Sequence, residues 1–249
     1  MGYIKTSGIV IKEVNTGDAD KIVTLFTKSH GKIQAFAKGA RRTRSAFSSS
    51  CQLLCYSEFV FYKGKDSYNI SSGEVIESFY DIRNDVERLT FAAHITEITN
   101  DIVQEEQPSA RLLQLYLNTL YLLSQKTKNP LLLVRVFELR AMSIIGYAPN
   151  TMDAEEIKGC NSVYFSFSKS SVVNEADGGN ESGAYTISAG TASAMRHIIK
   201  SPLNTLFSFE ASPLVLKELS HICKNYLRDK MDKEYKKLDF LELLDFKIK

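Results

Sequence analysis

The residues whose types and spacing suggest chemistry lie between Lys28 and Arg44, where six Lys or Arg occur with no acidic residue, in a chain of net charge +2. At the two-residue period of a strand, Ile33, Ala35 and Ala37 share one face, and Lys32, Gln34, Phe36 and Lys38 share the other. The first face is small and apolar, suited to a barrel interior. The second interleaves two cations with an aromatic ring and an amide, which supplies charge for phosphate and a flat surface for a base. Gly39 then breaks the strand, and Ala40 to Ser45 form a polar turn carrying Arg41, Arg42 and Arg44. Guanidinium groups bind phosphate oxygens bidentately and stack on bases, so this turn can act as a clamp. Lys32, Phe36, Lys38, Arg41, Arg42 and Arg44 are therefore the candidate DNA-binding residues; the alternative is a solvated basic loop.

A second constellation lies on a helix expected from Pro130 to Ile145. Leu133, Val134, Phe137, Ala141, Ile144 and Ile145 form its apolar stripe, and Leu131, Arg135, Leu139 and Met142 line up opposite. Such a strip is either a second packing face against a later helix or a groove for an acidic, apolar-ended peptide. Catalytic patterns are not evident: the sequence has no P-loop, no HExxH and no G-x-S-x-G, and His30, His94, His197 and His221 are scattered. Cys51, Cys55, Cys160 and Cys223 form no CxxC pair, so no metal site and no cofactor are expected.

The elements that must position the basic stretch read as β structure over residues 3–80. Strands are expected at Ile4–Val14, Lys21–Lys28, the basic strand, Leu53–Lys63 and Tyr68–Phe79, joined by polar turns. Five strands in under 80 residues suggest a small closed barrel, of oligonucleotide-binding (OB) or SH3-like type. Near Asp81 the period becomes helical. Helices are expected at Asp85–Gln104, from Pro108-Ser109 onward, and at Pro130–Ile145, three in succession forming a bundle. Residues 148–190 are polar and glycine-containing, with one strand candidate at Val163–Phe167 and an exposed or partly disordered turn around Gly178-Gly179. Helical character returns at Ser188–Lys200, Ser212–Arg228 and Phe240–Leu244. The fold class is thus α+β: a five-stranded barrel over residues 1–80, then a mainly helical domain over 81–249 with an irregular insertion at about 148–190.

Hydrophobic content of 44% and charged content of 24% are those of an ordinary globular protein. The near-neutral total hides an asymmetry: residues 1–80 carry 11 basic and 7 acidic groups, so an anionic partner should dock there. No window approaches the run of about 20 apolar residues that a membrane span needs, and a cytoplasmic protein is expected.

Taken in order, these segments resemble the RecO family of bacterial recombination mediators. The resemblance rests on Gly8-Ile9-Val10-Ile11-Lys12 with Asp20 and Leu25-Phe26-Thr27. It continues through Gly31-Lys32, Ala37-Lys38-Gly39-Ala40-Arg41 and Ser45, then Glu97, Arg135 with Phe137-Glu138-Leu139, and Gly146-Tyr147-Ala148-Pro149. The resemblance implies an OB barrel, a helical domain, and binding to single- and double-stranded DNA with annealing of complementary strands. It further implies a nucleoid-associated protein of the DNA damage and SOS response. The partners implied are RecR, the single-stranded-DNA-binding protein SSB and, indirectly, RecA recombinase, which family members help to load. By the same resemblance, Arg135, with Leu139 and Met142 beside it, would receive the acidic SSB tail. Many family members hold zinc on two CxxC pairs after the Gly-Tyr-x-Pro segment; here Cys160 stands alone, which implies a zinc-free branch. The readings outside this family are a metal-dependent nuclease acting on single-stranded DNA and a non-catalytic protein adaptor.

Overall fold

The computed structural model describes residues 2–45, 47–64, 67–160 and 162–241. Five strands, β1 (Tyr3–Thr16), β2 (Asp20–Thr27), β3 (Gly31–Ala37), β4 (Tyr56–Lys63) and β5 (Tyr68–Glu77), close into a barrel in the order β1-β2-β3-β5-β4. All neighbours are antiparallel except β3 and β5, which meet in a short parallel contact at Ala35–Tyr68 and Phe36–Asn69. This is the OB arrangement, and it excludes the SH3-like alternative. The interior is filled by Val10, Val23, Leu25, Ile33, Ala35, Phe59, Phe61 and Ile70. Strand β4 begins at Tyr56, later than the expected Leu53, because Leu54 takes a left-handed conformation (φ 64°) within a run of turns that buries Cys51, Leu54 and Cys55.

Three helices follow in the same compact unit, which spans Met1–Ser124. They are α1 (Tyr80–Arg83), α2 (Val86–Ile102) and α3 (Ala110–Gln125). Asp85 caps α2 by accepting the Arg88 amide, and α2 packs on β1. The chain leaving α2 returns to the barrel: the Lys32 amide donates to the Gln104 carbonyl (2.9 Å), and Glu105 bridges to Gly31 and Lys32. Gly31 makes this approach possible. Its φ is +63°, and a Cβ there would lie 2.5 Å from the Gln104 oxygen and 2.6 Å from that of Gln107.

The second compact unit spans Gln125–Lys249. Helix α4 (Pro130–Ile144) is capped by Asn129, whose side chain accepts the Leu132 amide, with Pro130 in its first turn. After α5 (Ala154–Gly159) come β6 (Val163–Ser166), β7 (Ser171–Asn174), α6 (Glu175–Gly178) and β8 (Tyr185–Ile187). The three strands form an antiparallel sheet in the order β7-β6-β8. Helices α7 (Ala189–Lys200) and α8 (Pro213–Met231) follow, and α4, α7 and α8 pack mutually.

Two expectations are corrected. The segment 148–190 is an ordered sheet with two short helices, not an irregular insertion; Val163, Phe165, Val172 and Ile187 give it an apolar side. Gly178 is not an exposed turn but a packing point, where an added Cβ would lie 2.8 Å from both Tyr164 Cβ and Val173 Cγ2. Within the second unit, α4 takes α7 and α8 as packing partners. The helix expected at Phe240–Leu244 lies partly outside the described residues.

Candidate nucleic-acid interface

Strand β3 places its side chains as the alternation requires. Ile33, Ala35 and Ala37 are buried in the barrel, whereas Gln34, Phe36 and Lys38 are exposed and Lys32 is half-buried. Phe36 is 40% exposed, enough ring face for a base to stack on.

The Arg turn is tied to the neighbouring β1–β2 turn. The Arg41 amide donates to Ala19 O (2.9 Å), its guanidinium reaches Gly17 O (3.4 Å) and Asp18 O (3.3 Å), and the Gly39 amide donates to Asp20 Oδ1 (2.6 Å). Arg41, Arg42 and Arg44 are all exposed. The two turns thus anchor Arg41 and carry Lys38, Arg42 and Arg44 at the end of the strand that holds Phe36. None of these groups needs to leave a buried partner to reach a phosphate.

Lys32 is placed differently. Its ammonium donates to the Asn100 carbonyl (2.6 Å) in the last turn of α2, where the carbonyl ends of a helix favour a cation. An ammonium has three donors, and the charge is held at a fixed point on the wall of a cleft. That cleft, of about 350 Å³, lies on the β3 face and is lined by His30, Lys32, Gln34, Phe36, Lys63, Tyr68, Glu105 and Glu106, among others. Lys63 sits over the Tyr68 ring, 5.4 Å from its centroid. Lys63, Tyr68 and the two glutamates had no signal in the basic stretch; only strand pairing and the return of the chain after α2 bring them there.

The second constellation is not a surface. Arg135 is 7% exposed, Leu139 1% and Met142 0%, because α4 is buried nearly all round, with Leu219, Ile222, Cys223 and Tyr226 among the buried residues of α8. Arg135 is braced internally: it donates to both carboxylate oxygens of Glu138 (2.8 and 2.6 Å) and to Ser220 Oγ (3.1 Å). Glu138, an acidic partner of Arg135, lies on its own helix. The expected groove for an acidic tail is therefore absent at Arg135, Leu139 and Met142.

The remaining thiols divide by burial. Cys51, Cys55 and Cys223 are buried and Cys160 is half-buried. Burial pushes the Cys51 thiol up to about 11 and raises that of Cys55. Among the described residues no group of three or more His, Cys, Asp or Glu is gathered as a metal site, and no helix is long and apolar enough to cross a membrane.

A closed five-stranded barrel with an aromatic, cationic strand and an Arg turn has the make-up of a nucleic-acid-binding OB module. Comparison with known proteins gives the family. Residues 1–79 match the family model "Recombination protein O N terminal", and residues 83–239 match "Recombination protein O C terminal". The chain belongs to the RecO family. It is 53% identical over 247 residues to the DNA repair protein RecO of Acetivibrio thermocellus, covering 98% of both chains. It is 34% identical over 246 residues to that of Caldicellulosiruptor saccharolyticus, covering 98% of this chain and all of the relative. The RecO of Alkaliphilus metalliredigens is 31% identical over 232 residues, covering 92% of this chain and 94% of that one.

Proposed function

We propose that this protein is a non-catalytic, DNA-binding recombination mediator of DNA repair. It binds single- and double-stranded DNA, anneals complementary single strands, and helps to load RecA on SSB-coated DNA together with RecR. The observation that carries this reading is the exposed set Phe36, Lys38, Arg41, Arg42 and Arg44 on one strand and its adjoining turn. The cations neutralise phosphates, so binding is salt-dependent, while the ring stacks on bases without demanding a sequence. A surface of this kind can hold one strand with base edges still free to pair, which annealing requires.

Lys32 contributes charge to the same face from its fixed position against Asn100. RecR and the SSB tail enter as partners through family membership. Because Arg135, Leu139 and Met142 are covered, docking of the tail is proposed for other residues of the chain. The cellular setting proposed is the nucleoid.

The test is fluorescence annealing of complementary oligonucleotides coated with SSB. The expected result is faster pairing when the protein is added, with the oligonucleotides intact in the presence of Mg²⁺. Cleavage of the labelled strand would replace the mediator with a nuclease. Failure to bind oligonucleotides, with retained binding to acidic proteins, would replace it with an adaptor.

A further inference from the structure

The β3 face is not uniformly cationic, and the cleft on it has a mixed lining that a phosphate chain alone does not explain. Phe36 supplies exposed aromatic surface, Tyr68 on the adjacent strand lines the cleft with its ring packed against Phe61 and under the Lys63 ammonium, and Lys32 and Lys63 supply positive charge. Glu105 and Glu106 line the same cleft and bring two carboxylates to it. The backbone of Glu105 is held by its bridges to Gly31 and Lys32, so the position from which its side chain leaves is set by the fold.

Carboxylates repel phosphate oxygens and accept hydrogen bonds from N–H groups. A single strand lying on β3 and the Arg turn would therefore keep its phosphates toward the arginines and turn a base into this cleft. Every base offers a π-face to the rings, so stacking alone makes no choice. The carboxylates do. Guanine presents N1–H and the N2 amino group side by side, a donor pair matched to the two oxygens of one carboxylate. Cytosine and adenine offer a single amino group on their pairing edge. Thymine offers one N–H between two carbonyls, which a carboxylate opposes.

We propose that this cleft accepts one base of a bound single strand and favours guanine, with Glu105 and Glu106 as the residues that read it. The proposal rests on the reading of the β3 face as a DNA surface. It adds to that reading a base preference in a protein otherwise built to bind without sequence.

The test uses the full chain and fluorescence anisotropy with oligo-dT of about 16 nucleotides, the upper range for one OB fold. A matched oligonucleotide carries a single central dG, and another carries deoxyinosine there, which stacks but lacks the N2 amino group. One good bidentate contact to a base discriminates by about fivefold at the low end. The dG oligonucleotide is expected to bind about fivefold more tightly than all-dT, with deoxyinosine losing most of that gain. The double variant Glu105→Ala, Glu106→Ala is expected to lose the dG preference, its affinities for the three oligonucleotides becoming equal. Equal affinities of the unaltered protein for the three oligonucleotides, with binding intact, overturn this inference alone. Absence of binding to any of them at low salt overturns the DNA reading and this inference with it.

Discussion

Arg135 and Glu138, one turn apart on α4, form a buried two-pronged ion pair with N–O distances of 2.8 and 2.6 Å. The carboxylate is 1% exposed and the guanidinium side chain 9%, so the pair lies in the interior. Ser220 of α8 accepts the remaining Nε donor, and the Cys223 thiol donates to the Arg135 carbonyl (3.8 Å). The pair thus links α4 to α8.

Arg135→Ala is expected to destabilise the protein by about 3 kcal/mol or more, because it removes the guanidinium that donates to both oxygens of the buried Glu138 carboxylate. Denaturant unfolding measures it. The double replacement Arg135→Met, Glu138→Leu should recover most of the loss, since it removes both charges and retains volume. A variant that keeps its stability and loses only recruitment to SSB-coated DNA would restore Arg135 as a tail receptor.

Phe36→Ala is expected to weaken single-strand binding by about 1–3 kcal/mol, the range for loss of one stacked base. The ring is 40% exposed and lies outside the barrel core, so the melting temperature should hardly move. Affinity and thermal stability measured on the same preparation check this. A large fall in stability with unchanged affinity would make Phe36 a packing residue.

Gly178→Ala is expected to loosen the three-stranded sheet, since the added methyl meets Tyr164 and Val173 at 2.8 Å. Overpacking of this kind costs about 1–3 kcal/mol. Limited proteolysis followed by mass spectrometry should find residues 163–187 resistant in the unaltered protein and cut earlier in the variant. Rapid cleavage of the unaltered protein at Gly178-Gly179 would return this segment to the exposed loop its composition suggests.

Thiol modification should be selective. Half-buried Cys160 is expected to react first with an aromatic disulfide reagent near pH 8. Cys51, with its pKa pushed up to about 11 by burial, is almost wholly protonated there and should react only on unfolding. The signs follow from the thiolate being the nucleophile: a raised pKa lowers its population at any pH below that value. Reaction of Cys51 at the rate of Cys160 in the folded protein would contradict the barrel core.

These outcomes mark what the sequence made legible. The alternation Ile33, Ala35, Ala37 against Gln34, Phe36, Lys38 is a local signal of period two, and the strand keeps it. Lys32 was placed correctly on that face, but its bond to Asn100 joins positions 68 apart in the chain, and no local pattern encodes such a contact. Helix α4 shows the same limit in another form. Apolar residues on both its faces meant two buried faces, and whether the second met solvent or α8 was a tertiary question. In the sheet at 163–187 the strand at Val163–Ser166 is legible in the sequence, whereas β7 and β8 are not, because they have four and three residues with few apolar positions. Gly178 reads as a turn residue in sequence, yet it is small because two side chains crowd it.

The most direct test of the central claim is the salt dependence of binding to a single-stranded oligonucleotide. Each neutralised phosphate contributes about 0.7 to the slope of log affinity against log salt for single strands. Replacing Arg41, Arg42 and Arg44 together by Ala should flatten that slope by about 2 while the protein remains folded, since all three side chains are exposed. An unchanged slope in the folded triple variant would contradict the account and move the DNA surface away from β3 and its Arg turn.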